Sequence, residues 1–234
     1  MSDEVALSED TQAILNEFLK EKASHEERFM QLAAEAQDRF ESVKTIDIDM
    51  DTFQEDWNLS QFWYTKETSR TIAKAALSHG DRIAVVSAPS TYFAIVELAK
   101  EDPQYLDKAE KCVLFEVDDR FAALGRRFSH YDFNKPFEIE DSLKHSFDMI
   151  VLDPPFLSDE CQTKSAVSAA LLSTTGTDPK FIVCTGERME SKIHKLYKKH
   201  NMRTTDFLPE HANGLSNEFR CYANFECEQW HLNS

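Results

Sequence analysis

Glycine is scarce in this chain: five residues in 234, beside seven prolines. A phosphate ligand calls for a glycine-rich loop at a helix N-terminus, and no such loop is present. Zinc-ligand spacing is missing too. The five cysteines, Cys112, Cys161, Cys184, Cys221 and Cys227, are odd in number and follow no C-x-x-C pattern, which reads as reduced thiols. No apolar run approaches the ~18 residues of a membrane helix. The first residues, "MSDEVALSEDTQ", lack the basic-then-apolar order of a secretory signal. These absences together predict a cytoplasmic protein. Positive charge is also short: 26 Lys and Arg face 42 Asp and Glu, a net charge of −16. Duplex nucleic acid is gripped by clustered cations, so long-range attraction to it is not expected.

The acidity is uneven. Residues 1–56 hold 16 acidic and 5 basic side chains. Ile14, Leu15, Phe18, Leu19, Phe29, Leu32, Ala33, Ala36 and Phe40 recur there at helical spacing. The spacing predicts an acidic, mostly helical arm over 1–56 and a globular domain over 57–234. An apolar fraction of 41% with 17 Phe is enough to build that core.

Beyond residue 57 the pattern changes. A helix is predicted from Lys66 to Ser78, stopped at "HGD". "RIAVVS", "CVLFEV", "FDMIVL" and "KFIVC" are short Val-, Ile- and Phe-rich runs suited to strands buried on both faces. "RFSHY" is a shorter candidate strand. Helical patterns alternate with them: "TYFAIVELAKED", "DRFAALGRRF", "IEDSLKH" and "SDECQTKSAVSAALLS". The end departs from this rhythm, because "MRTTDFLPEH" and "NEFRCYANFECEQW" read as two strands without a helix between them. The expectation is an α/β fold: a seven-stranded, mostly parallel sheet with an antiparallel C-terminal strand. That is the topology of Rossmann-like class I methyltransferases.

In open α/β sheets ligands sit beyond the carboxyl ends of the strands. Those ends carry Ser87-Ala88-Pro89-Ser90, Glu116 and Asp118, Asp132, and Asp153-Pro154-Pro155-Phe156. Carboxylates at successive strand ends suit ribose hydroxyls, an exocyclic amine and a sulfonium, which favours S-adenosyl-L-methionine over a dinucleotide. Plainer roles compete. Asp118 suits a helix N-cap before "DRFAAL", Asp132 a turn cap, and Phe62, Trp63 and Tyr64 core packing.

Asp153-Pro154-Pro155-Phe156 matches the [DNS]-P-P-[FYW] signature of amino-group methyltransferases. With "NLSQFWYTKET", "VSAPSTYFA", "FEVDDRF" and "NEFRCYANFE" it resembles the eukaryotic elongation factor 1-alpha lysine methyltransferases over roughly residues 57–227. Members of that family were first catalogued as N6-adenine DNA methyltransferases. The resemblance implies a cytoplasmic enzyme acting as a monomer on elongation factor 1-alpha. It implies that Asp153 accepts a hydrogen bond from the target amine, helped by the Pro154 and Pro155 carbonyls, with Phe156 as an aromatic wall. Glu116 or Asp118 would bind ribose and Asp132 the adenine amine, with Ser87, Ala88, Pro89 and Ser90 as the first cofactor loop. The "QFWYT" stretch, Gln61 to Thr65, would close over the cofactor or line the target channel, with Tyr64 and Thr65 on the cofactor side. Phe62, Trp63, Asn217, Glu218 and Phe219 would face the substrate. The first loop departs from the G-x-G of methyltransferases in general. N6-adenine methylation of nucleic acid and a non-catalytic cofactor-binding scaffold remain as alternative readings.

Overall fold

The computed structural model describes residues 61–214 and 218–233. The predicted arm over 1–56 and Asn217 lie outside the described residues. Helix α1 spans Lys66–His79. It starts at Thr65, whose side-chain oxygen accepts the Thr68 N–H, and Glu67 places negative charge at the positive end of the helix dipole. It ends at Gly80, whose φ of −118° any residue can adopt. The glycine is needed for another reason: a Cβ there would lie 2.4 Å from the Met149 Cβ. The stop signal in "HGD" therefore marks a close approach between the helix end and a strand.

The strands are β1 Ile83–Val86, β2 Val113–Glu116, β3 Phe128–His130, β4 Met149–Leu152, β5 Lys180–Gly186, β6 Arg203–Thr204 and β7 Phe219–Ala223. They form one sheet in the order β3-β2-β1-β4-β5-β7-β6. The first five run parallel, and β7 lies antiparallel between β5 and β6. β1, β2 and β4 are buried at every position, which explains apolar runs without polar alternation. Helices α2 Pro89–Glu101, α3 Leu106–Glu110, α4 Asp159–Leu172 and α5 Glu190–Leu196 complete the fold. One face of the sheet buries Val86, Phe115, Leu152, Val183 and Tyr222 with Phe147, Leu172 and Tyr197.

Two predicted helices did not form as such. "DRFAALGRRF" is an irregular 3-10 stretch over Asp119–Arg127, broken by Gly125 at φ 58°, a left-handed geometry no helix continues through. "IEDSLKH" contributes only the turn Asp141–Leu143, because so short a segment gains too few helical hydrogen bonds to offset nucleation. The strand order reverses between β1 and β4, so the ligand crevice belongs at their carboxyl ends.

Candidate active site

A row of backbone hydrogen bonds aligns the strand ends. Ser87 N–H donates to Phe115 O at 2.9 Å, Asp153 N–H to Val86 O at 3.0 Å, and Tyr131 N–H to Glu116 O at 2.9 Å. The residues that follow β1, β2, β3 and β4 thus share one edge. A cavity of about 310 Å³ opens there. Ser87, Ala88, Pro89, Ser90, Glu116, Asp132, Asp153, Pro154, Pro155 and Phe156 all line it. Phe62, Trp63 and Phe219 line it as well. Residues scattered from 61 to 219 therefore meet in one place.

The first loop solves the glycine shortage with serine. Ser87 takes φ 55°, the left-handed turn that glycine usually supplies, at a cost of roughly 1–2 kcal/mol. Ala88 then caps α2, with Pro89 at its first position. The bend that a G-x-G loop would make is present without the glycines.

The two acidic candidates after β2 separate. Glu116 lines the cavity and is 4% exposed. Its Oε1 accepts from the Gln61 amide at 3.0 Å and its Oε2 from Val117 N–H at 2.7 Å. A carboxylate has about four acceptor sites, so capacity remains on both oxygens. Burial pushes the Glu116 acid up, and these two donors oppose that. Asp118 is not a lining residue. Arg120 clamps it through Nε at 2.8 and 3.0 Å, and its Oδ1 accepts Arg120 N–H in the capping role anticipated for it. Asp132 caps a turn, its Oδ1 accepting Asn134 N–H at 2.8 Å, and it also lines the cavity.

The Asp-Pro-Pro-Phe corner is held from several sides. Gln162, buried on α4, donates to Phe156 O at 3.1 Å and to Thr185 Oγ1 at 3.0 Å. Arg188 donates to Leu157 O at 2.9 Å. Leu157 packs on Gly186, where a Cβ would come within 2.8 Å of its Cδ1. Ser158 caps α4. Phe156 is 45% exposed at the rim, its ring centroid 5.5 Å from that of Phe133. Asp153 is enclosed by protein except toward the cavity. Burial raises its acid to about 8, the Tyr64 hydroxyl pulls it down, and the Glu116 charge adds to the rise.

Other predicted residues stand behind the lining. Tyr64 is 5% exposed, and its hydroxyl faces the Asp153 carboxyl from outside the cavity wall. Thr65 caps α1. Glu218 pairs with Arg220 at 3.9 Å and does not line the cavity. Five lining residues were not singled out in the sequence: Val117, Tyr131, Phe133, Asn134 and His211. His211 sits in the β6–β7 connection, its ring 4.7 Å from Tyr64 and 4.5 Å from Phe219. In the sequence His211 reads as the end of a strand, "MRTTDFLPEH", but only Arg203–Thr204 of that run forms β6 and the rest is a connection.

No Lys or Arg lines the cavity among the described residues. Its polar lining combines the Glu116, Asp132 and Asp153 carboxyls with Gln61, Ser87, Ser90, Asn134 and His211 beside aromatic faces, which fits ribose hydroxyls, an adenine ring, an amine and a sulfonium. Fold and cavity together define a Rossmann-like class I methyltransferase.

Comparison with known proteins narrows the class. A family model described as "Probable N6-adenine methyltransferase" matches residues 55–227. The chain is 44% identical to Protein-lysine N-methyltransferase EFM5 of Saccharomyces cerevisiae, over 96% of this chain and 93% of that one. It is 37% identical to EEF1A lysine methyltransferase 1 of Homo sapiens, over 82% and 86%. In fold it resembles a branched-chain polyamine synthase mutein from Thermus thermophilus, at a TM-score of 0.50 and 13% identity, over 90% of this chain and 67% of that one. The chain belongs to the EEF1A lysine methyltransferase family. It is an S-adenosylmethionine-dependent protein-lysine N-methyltransferase.

Proposed function

We propose that this protein methylates the ε-amine of a lysine in translation elongation factor 1-alpha, with the cavity at the β1–β4 crevice as its active site. The observation that supports this best is the joint placement of Glu116 and Asp153-Pro154-Pro155-Phe156 around one aromatic-walled cavity that no Lys or Arg lines among the described residues. The names of the relatives supply the substrate. We place the protein in the cytoplasm with that substrate, acting as a single chain.

When bound, S-adenosylmethionine supplies an activated methyl group on a cationic sulfur. Glu116 would hold the ribose hydroxyls with its remaining acceptor sites. Asp132 would take the adenine amine. Ser87 to Ser90 would line the amino-acid portion of the cofactor. On the target side, Asp153 and the Pro154 carbonyl would orient the lysine amine, and Phe156, Trp63 and Phe219 would exclude water from it. Lysine must lose its proton first, from an ordinary pKa near 10.4. Desolvation by the aromatic wall lowers that value. With the cationic sulfur beside it Asp153 would be a carboxylate that accepts an N–H from the amine and orients the nitrogen, and the lysine proton would be lost to solvent. Positioning of the amine against the methyl group is the main catalytic lever.

The experiment is incubation of the protein with methyl-labelled S-adenosylmethionine and a cell lysate, with nuclease and protease controls. Label in one protease-sensitive band of elongation-factor size is the expected result. Label removed by nuclease would point instead to adenine, and no label to a scaffold.

A further inference from the structure

Gln61 occupies an unusual position. Its side-chain amide donates at 3.0 Å to Glu116 Oε1 and at 3.0 Å to Asp118 Oδ2. Its Oε1 accepts from Arg120 at 3.3 Å. The amide orientation is unambiguous, since a flip would set its oxygen against two carboxylates. Glu116, Asp118 and Gln61 are each at most 5% exposed, so the two acids meet the amide in a shielded setting. The next two residues, Phe62 and Trp63, form part of the cavity wall. The strap is pinned further along: Ala212 N–H donates to Trp63 O and Thr65 N–H to Glu210 O, both at 2.9 Å, and Tyr64 N–H to Ser90 Oγ at 3.4 Å.

We propose that Gln61 is a positioning residue that ties the target side of the cavity to the cofactor side. It fixes the Glu116 carboxylate for the ribose hydroxyls. Through the same short strap it sets where Phe62 and Trp63 stand against the lysine. This rests on the assignment of Glu116 to the ribose. Among the described residues, the charged groups that bond the amide are Glu116, Asp118 and Arg120.

The test is calorimetric binding of S-adenosylmethionine to the full chain carrying Gln61→Leu, Gln61→Glu or Glu116→Gln, at about pH 6 and about pH 8.5. Gln61→Leu is expected to bind about tenfold or more weakly, the usual loss for a hydrogen bond to a charged group. Gln61→Glu is expected to bind weakly at the higher pH and to recover at the lower, because a protonated carboxyl can donate and an ionised one cannot. At saturating cofactor, Gln61→Leu is also expected to raise the KM for the protein substrate several-fold. Wild-type affinity in both Gln61 variants, with Glu116→Gln weakened, overturns this inference alone. A loss in Gln61→Glu that does not change with pH, or an unchanged substrate KM, overturns it too. Wild-type affinity in Glu116→Gln overturns the ribose assignment and this inference together.

Discussion

Glu116 and Asp118 share one donor, the Gln61 amide, at 3.0 Å each, yet only Glu116 faces the cavity. The two acids therefore have separable roles. Glu116→Gln is expected to weaken S-adenosylmethionine by about tenfold or more while the melting temperature holds. Asp118→Asn loses the Arg120 clamp and is expected to cost about 1–3 kcal/mol of stability in chemical denaturation, with a smaller effect on cofactor affinity.

Asp153 is expected to separate turnover from cofactor binding. Asp153→Ala should lower kcat by about a hundredfold or more, the usual range for misplacing a reacting group, and leave the cofactor Kd within a few-fold. Asp153→Asn carries a stability signature as well. The folded acid sits near 8 against an ordinary 3.8, so the folded protein holds the proton more tightly than the unfolded chain. Stability conferred at this position is full below about pH 4 and falls as pH rises toward about 8. Asp153→Asn removes that loss, and its melting temperature should exceed the wild type's at about pH 8 by ~3 °C or more and converge with it in acid.

The same acid predicts a proton signal on binding. At neutral pH Asp153 is mostly protonated in the cofactor-free protein. A cationic sulfur brought into the cavity favours the carboxylate and expels the proton. Calorimetry in buffers of different ionisation enthalpy should show proton release with S-adenosylmethionine, less with the uncharged product S-adenosylhomocysteine, and none in Asp153→Asn.

Gly80→Ala is expected to damage the fold without touching the chemistry. Its Cβ would meet the Met149 backbone-proximal carbon at 2.4 Å, so α1 and β4 must part. The expected cost is about 1–3 kcal/mol, as in overpacked cores, with KM for the cofactor unchanged.

The sheet was legible because β1, β2, β4 and β5 are covered on both faces, which leaves continuous apolar runs in the sequence. The Asp153 corner was legible because two prolines and an aromatic after such a run have few structural uses. The "QFWYT" stretch was legible as part of the site, but the Gln61 pairing was not: its partners lie 55 and 57 residues away and nothing local marks it. His211 was hidden because "MRTTDFLPEH" reads as one strand, whereas only Arg203–Thr204 pairs in the sheet. Ser87 shows a different limit: a sequence without glycine suggests an absent bend, while the structure places a serine in the left-handed region to make it. The choice between Glu116 and Asp118 turned on which side of β2's end each carboxylate faces, and two residues' separation at an irregular strand end does not encode that.

The most direct measurement is the intact mass of purified elongation factor 1-alpha after incubation with this protein and S-adenosylmethionine, followed by peptide mapping. The account predicts a rise by whole methyl increments on a lysine, abolished by Asp153→Ala in a variant that still binds the cofactor. An unchanged mass with the wild-type protein, or full methylation by Asp153→Ala, would contradict it.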